Sequence, residues 1–106
     1  MQFDVYPTPG PARAFLPFII DVQSDLLSSL DSRLIVPMLS IPAGKKGAPK
    51  LLTRLNPIIE FDGKSYALLA NQMANISANR LRKPAGNLST QRQAIVEAID
   101  FLITGI

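Results

Sequence analysis

The sequence predicts a mainly β protein, an antiparallel sheet or small barrel with one C-terminal α-helix packed on it. Three observations carry that reading. Short apolar runs with strand-like character recur from Phe3 to Leu69. An Asp62-Gly63 pair separates two of them, Ile58-Ile59-Glu60-Phe61 and Lys64 to Leu69, the signature of a two-residue hairpin turn with positive φ at both central positions. Apolar residues then return at helical spacing only near the end, at Ile95, Ala98, Ile99, Leu102 and Ile106.

Taken in order, Gln2 to Tyr6 alternates with Phe3 and Val5 on one face and reads as a first strand. Pro7-Thr8-Pro9-Gly10-Pro11 then forces a stiff turn, because proline has no N–H for a ladder. Phe15 to Gln23 reads as the second strand, ended by Ser24-Asp25, and Leu26 to Ser32 as a connection. Leu34 to Leu39 is the third strand, and Pro37 inside it implies an edge position or a bulge. Ala43 to Lys50 is a basic loop, and Leu51 to Leu55 fits a helical turn. After the hairpin, Asn71 to Arg82 fits a short strand or two, and Lys83 to Asn87 breaks the chain. Ser89 or Thr90 is positioned to cap the final helix, with Gln93 at capping-box spacing from Thr90.

Length and composition bound the rest. A chain of 106 residues, 1–106, is read as one domain with room for a real core. With 47% hydrophobic and 18% charged residues, some aliphatic surface is expected to face a partner, which points to an oligomer. There is no cysteine, which suits a reducing cytoplasm. Met1 to Tyr6 lacks the pattern of a leader peptide, and no apolar run approaches the ~18 residues of a membrane span. The net charge of +3 comes from short clusters rather than a dedicated nucleic-acid stripe.

The chemical inventory is narrow. Without His or Cys, the usual zinc sites and His-based triads are excluded. Gly44-Lys45-Lys46-Gly47 lacks P-loop spacing and reads as a solvated loop. Asp21 and Asp25, four residues apart on a strand, would stand ~13 Å from one another, which favours structural or capping roles over a catalytic pair. Arg80-Leu81-Arg82-Lys83 reads either as a solvated loop or as a contact for an acidic peptide or phosphate, since Arg forks match both.

The end of the chain departs from habit. Termini usually fray into polar tails, yet Phe101-Leu102-Ile103-Thr104-Gly105-Ile106 is mostly apolar. Glu97 and Asp100 also approach the negative end of the helix macrodipole, with no Lys or Arg after Arg92. Periodicity alone favours a plug that finishes the core; the other reading is an exposed apolar tip that docks in a partner.

The residues Met1 to Tyr6, Asp21 to Leu27, Arg33 to Met38 and the closing Gly105-Ile106 resemble the CcdB toxin family over nearly the whole chain. That resemblance implies an SH3-like barrel sheet, a small second sheet and a C-terminal helix, the CcdB/MazF architecture. It implies a homodimeric, bacterial cytoplasmic toxin of a plasmid-maintenance type toxin–antitoxin module. Such a toxin is not an enzyme: it binds the A subunit of DNA gyrase, traps the gyrase on cleaved DNA and is neutralised by a CcdA-like antitoxin. Operator DNA is met only as the toxin–antitoxin complex, with no cofactor, metal or membrane. Carried over residue by residue, the gyrase-binding set is Asp100, Ile103, Thr104, Gly105 and Ile106, and the antitoxin-binding set is Gln2, Phe3, Tyr6, Ser24, Leu26 and Leu27, with the same helix tip. Thr104 stands where the family's ending Trp-Gly-Ile has tryptophan, a side chain that buries on the order of 200 Å². The alternatives are a MazF/Kid-like endoribonuclease, for which Arg13, Arg33 and Asp21 are the candidates, and a family relic without toxicity.

Overall fold

The computed structural model describes residues 1–42 and 53–105. The basic loop at 43–50, the first half of the expected turn at 51–55, and Ile106 lie outside the described residues. Among the described residues, seven strands form one antiparallel sheet: β1 (Asp4–Pro7), β2 (Phe18–Asp21), β3 (Ser32–Ile41), β4 (Ile58–Phe61), β5 (Lys64–Leu68), β6 (Ala74–Ser77) and β7 (Gly86–Asn87). An α-helix, α1 (Arg92–Thr104), follows. The strand path runs β4-β5-β3-β2-β1-β7, with β6 branching from β3 rather than forming a separate sheet.

β3 organises the sheet because it is long enough to change partners. Along one side it pairs with β2, from Ile35↔Asp21 to Met38↔Phe18. Along the other it pairs first with β6, from Ser32↔Ser77 to Ile35↔Ala74, and then with β5, from Met38↔Leu68 to Ile41↔Ser65. Pro37 sits at the changeover. The expectation of an edge or bulge is therefore corrected: the proline lies in the central strand. Its carbonyl accepts from the Leu69 N–H at 2.9 Å, and the N and O of one antiparallel residue face the same neighbour. The missing N–H thus lies on the side of Leu69, just past the end of β5 and before β6 takes over.

The sheet curls until its two path ends meet. On β7, a Cβ at Gly86 would come within 2.6 Å of the Phe61 ring of β4, so a larger residue there would have to displace the ring that joins these edges. Phe61 in turn meets Phe18 edge-on at 5.2 Å, and Phe18 meets Tyr66 at 5.8 Å. Just past β7, Gln91 spans the same seam. Its Oε1 accepts from the Glu60 N–H at 3.0 Å and its Nε2 donates to the Glu60 carbonyl at 2.7 Å. A side-chain amide here substitutes for a strand partner on the exposed edge of β4, which would otherwise invite pairing with another chain.

The core inside this half-barrel gathers Val5, Ile20, Val36, Met38, Ile59, Leu68 and the helix residues Ile95 and Ala98. The Asp62-Gly63 hairpin is as expected, with φ of 52° and 75°. Several boundaries move: the second strand ends at Asp21 instead of Gln23, and the third runs Ser32–Ile41 instead of Leu34 to Leu39. The second strand begins at Phe18 instead of Phe15, which is left exposed beyond the turn Pro11–Ala14. The first begins at Asp4, because Phe3 takes φ 68°. That left-handed conformation is uncommon for an aromatic residue. It is held by backbone bonds from Phe3 N–H to Asp21 O and from Leu88 N–H to Phe3 O, and it lodges the ring in the core.

The helix start also differs from the capping-box expectation. Ser89–Gln91 forms a 3₁₀ turn and the N-cap is Gln91, without a side-chain cap. The Gln93 side chain is engaged elsewhere, donating to Glu97 at 3.1 Å, and the Ser89 backbone N–H goes to Asn87 Oδ1. Chain entry from β7 is fixed by the seam, and the local capping preference yields to it.

Candidate functional site at the projecting helix end

Helix α1 has thirteen residues and is therefore about 20 Å long. Ile95 and Ala98 are fully buried, and Val96 and Ile99 pack against the same core. One turn later the core has ended. Leu102 is 38% exposed and Ile103 71% exposed, so Leu102 does not continue the expected core stripe. The apolar periodicity thus runs past the stretch of helix that the core covers.

The end is ordered by its own backbone. Gly105 takes φ 71° and ψ 17° and donates its N–H to the Phe101 carbonyl at 2.9 Å, a left-handed C-cap that glycine occupies without the Cβ penalty. Thr104 Oγ1 donates to the Asp100 carbonyl at 2.7 Å, the i−4 back-bond that Thr makes in helices. Asp100, Ile103, Thr104 and Gly105 are all exposed. Ile106 lies outside the described residues.

The missing base near the helix end comes from elsewhere in the chain. Arg54 places its guanidinium 4.4 Å from the centre of the Phe101 ring, a cation–π contact. It also lines a groove of about 540 Å³ with Thr53, Pro57, Ala94, Glu97 and Asp100. A cation thus shares this groove with the two carboxylates nearest the negative end of the helix. Sequence reading missed it because Arg54 and Asp100 are far apart along the chain.

The residues of the antitoxin set fall into different environments. The Gln2 N–H donates to Asp25 Oδ1 at 2.8 Å, which draws the first residues against the 24–27 turn. Ser24 caps that turn, accepting from the Leu26 N–H at 3.2 Å. Leu26 is 93% exposed, and Leu27 and Leu30 are half-exposed beside it. Phe3 and Tyr6 are buried instead, Phe3 in the main core and Tyr6 in a smaller cluster with Ile19 and Ile35. Burial, with Asp4 and Asp21 nearby, raises the Tyr6 hydroxyl above its ordinary pKa. These two side chains shape the surface from beneath.

The nuclease candidates do not converge. Arg33 Nε and Nη2 grip Asp21 Oδ2 at 2.9 and 2.8 Å, with both side chains buried. Arg33 Nη2 also donates to the Gln23 carbonyl at 3.3 Å and lies 3.9 Å from Asp25, so one guanidinium joins the two aspartates expected to stand apart. The N-terminal amine adds a contact to Asp21 at 3.8 Å. A buried, saturated pair of this kind fixes register more than it adds stability. Arg13 belongs to another part of the surface, its Nε donating to the Thr8 carbonyl at 3.0 Å.

A curled β half-barrel carrying a projecting C-terminal helix is the class of protein that this fold and site define. The chain belongs to the CcdB family: the family model described as CcdB protein matches residues 2–105. It is accordingly a toxin of a toxin–antitoxin module. No helix among the described residues is long and apolar enough to cross a membrane.

Proposed function

We propose that residues 1–106 act as one toxin domain, as a homodimer, by binding the A subunit of DNA gyrase and trapping the enzyme on cleaved DNA without catalysing a reaction. The observation that carries this reading is the helix end: capped by a left-handed Gly105, with Ile103 71% exposed, in a chain of this family. Two such tips, one from each protomer, enter the gyrase dimer while its DNA is cut. Binding to that state alone stabilises it by mass action. Ile103 and Leu102 supply the apolar grip that tryptophan gives elsewhere in the family, while Thr104 spends its hydroxyl on the helix backbone. A CcdA-like antitoxin covers the exposed Leu26-Leu27 turn together with the helix tip, and so neutralises by competition. Its own disordered tail orders on binding.

The test compares the intact chain with a form lacking Gly105-Ile106 and with Ile103→Ala. Each is expressed in bacteria with normal gyrase and added to purified gyrase on supercoiled plasmid. The intact chain is expected to arrest growth and accumulate linear, gyrase-linked DNA, and both variants to lose these effects while staying folded. Toxicity that survives the truncation overturns the tip. RNA cleavage with gyrase untouched transfers the function to the endoribonuclease reading, and normal growth with the intact chain makes it a relic.

A further inference from the structure

A second surface is charged in a way that the toxin reading does not use. Arg13, Arg80, Arg82 and Lys83 line one cleft of about 400 Å³ with Pro7, Pro9 and Gly10, and no acidic residue lines it. All four cations are exposed. Among the described residues none of them joins an ion pair, whereas Arg33 lies beside two aspartates. Like charges gathered without a counter-charge oppose one another, so this arrangement is best satisfied by an anion brought from outside.

The cleft is also built stiffly. The Thr8 carbonyl holds Arg13 by its Nε and leaves the two Nη groups free to face outward. Gly10 turns the chain at φ 78°, and Arg80 Nη2 stands where a Cβ on Gly10 would be in ordinary contact, at 3.7 Å. Prolines at 7 and 9 fix φ and remove N–H donors, and β7 pairs with β1 only at Asp4 and Val5. The cleft wall is therefore poor in backbone donors for an added strand, and recognition rests on the side-chain charges.

Two kinds of anion compete, and the lining separates them. Single-stranded nucleic acid needs aromatic platforms on which bases stack, and none lines the cleft. A duplex backbone is followed by cations spread along a stripe, whereas these converge on one pocket. Neighbouring carboxylates fit better, because Arg forks take a carboxylate bidentately and the proline walls offer apolar surface to flanking side chains. We propose that the Arg13, Arg80, Arg82 and Lys83 cleft binds a short acidic peptide segment of a partner, with adjacent carboxylates taken by Arg80 and Arg82. This surface does not depend on gyrase being the target.

The probe is a fluorescein-labelled peptide, acetyl-Glu-Glu-Asp-Glu-amide, titrated with the full chain at low salt and read by fluorescence anisotropy. Its neutral counterpart Gln-Gln-Asn-Gln and a labelled oligo-dT serve as competitors of different chemistry. The acidic peptide is expected to bind and the neutral one not. Arg80→Gln and Arg82→Gln are each expected to weaken it about tenfold, the equivalent of one charge-assisted hydrogen bond, while Arg92→Gln on the helix leaves it unchanged. Circular dichroism confirms folding, which these exposed sites do not control. Unaltered binding in the Arg80→Gln/Arg82→Gln variant, or no binding at low salt, overturns the proposal. Tighter binding of oligo-dT, lost in the same variant, reassigns the cleft to phosphodiesters.

Discussion

The two halves of helix α1 have similar side chains and opposite fates. Ile95 and Ala98 are fully buried beneath the curled sheet, whereas Ile103, two turns on, is 71% exposed. Hydrophobicity is therefore not what distinguishes core from contact surface in this helix. What distinguishes them is how far the core extends along the helix. The first half is fastened by the core and by the Gln91 clasp across the seam; the last turns are held by the C-cap, by the Thr104 bond to the Asp100 carbonyl and by Arg54 over Phe101. A helix anchored at one end and free at the other presents its apolar tip at fixed geometry without loosening the fold.

The largest change that breaks this contrast is Ile95→Ala in the anchored half. Removing a fully buried side chain is expected to cost about 2–5 kcal/mol, read as a lower urea midpoint of unfolding. Helix and sheet should then loosen together, since Ile95 touches the core that both share. If the sheet keeps its stability, the anchor has been misplaced. Gln91→Ala is expected to be smaller, about 0.5–1.5 kcal/mol, because Glu60 is exposed and water replaces the lost amide. Its marker is local: faster hydrogen exchange at the Glu60 amide, with the Ile59 amide little altered. Smallest is Gly105→Ala at the free end, about 1 kcal/mol of left-handed strain absorbed by fraying of the last turn. The unfolding midpoint should hardly move, while the Gly105→Asn variant keeps the cap, since Asn tolerates that conformation. A large global loss from Gly105→Ala would mean that the tip is part of the core after all.

How much of this was legible in the sequence depends on how far each feature reaches along the chain. The Asp62-Gly63 turn needs only two residues that accept positive φ, so its neighbours announce it. The helix and the direction of its buried stripe follow from a period of 3.6 residues. The Thr90 capping signal was equally local, yet it lost to the entry angle imposed by β7 and the seam. Of the candidate residues, Leu26, Leu27 and Ile103 stand exposed while Phe3 and Tyr6 are buried; pattern and resemblance named all five alike, because burial is a property of what folds over a residue.

By itself, the sequence determined the mainly β character, the hairpin, the terminal helix, the apolar ending and, through residues spread over nearly its whole length, the family. Each rests on local conformational preference or on residue identity, which no other part of the chain needs to supply. Only the tertiary structure decided that β3 changes partner at Pro37, that Gln91 closes the seam at Glu60, and that Arg33 gathers Asp21 and Asp25. It also brought Arg54 to Phe101 and Arg13 to Arg80. These contacts join residues far apart in the chain, and they exist only once the sheet has curled and fixed how far the core extends along the helix.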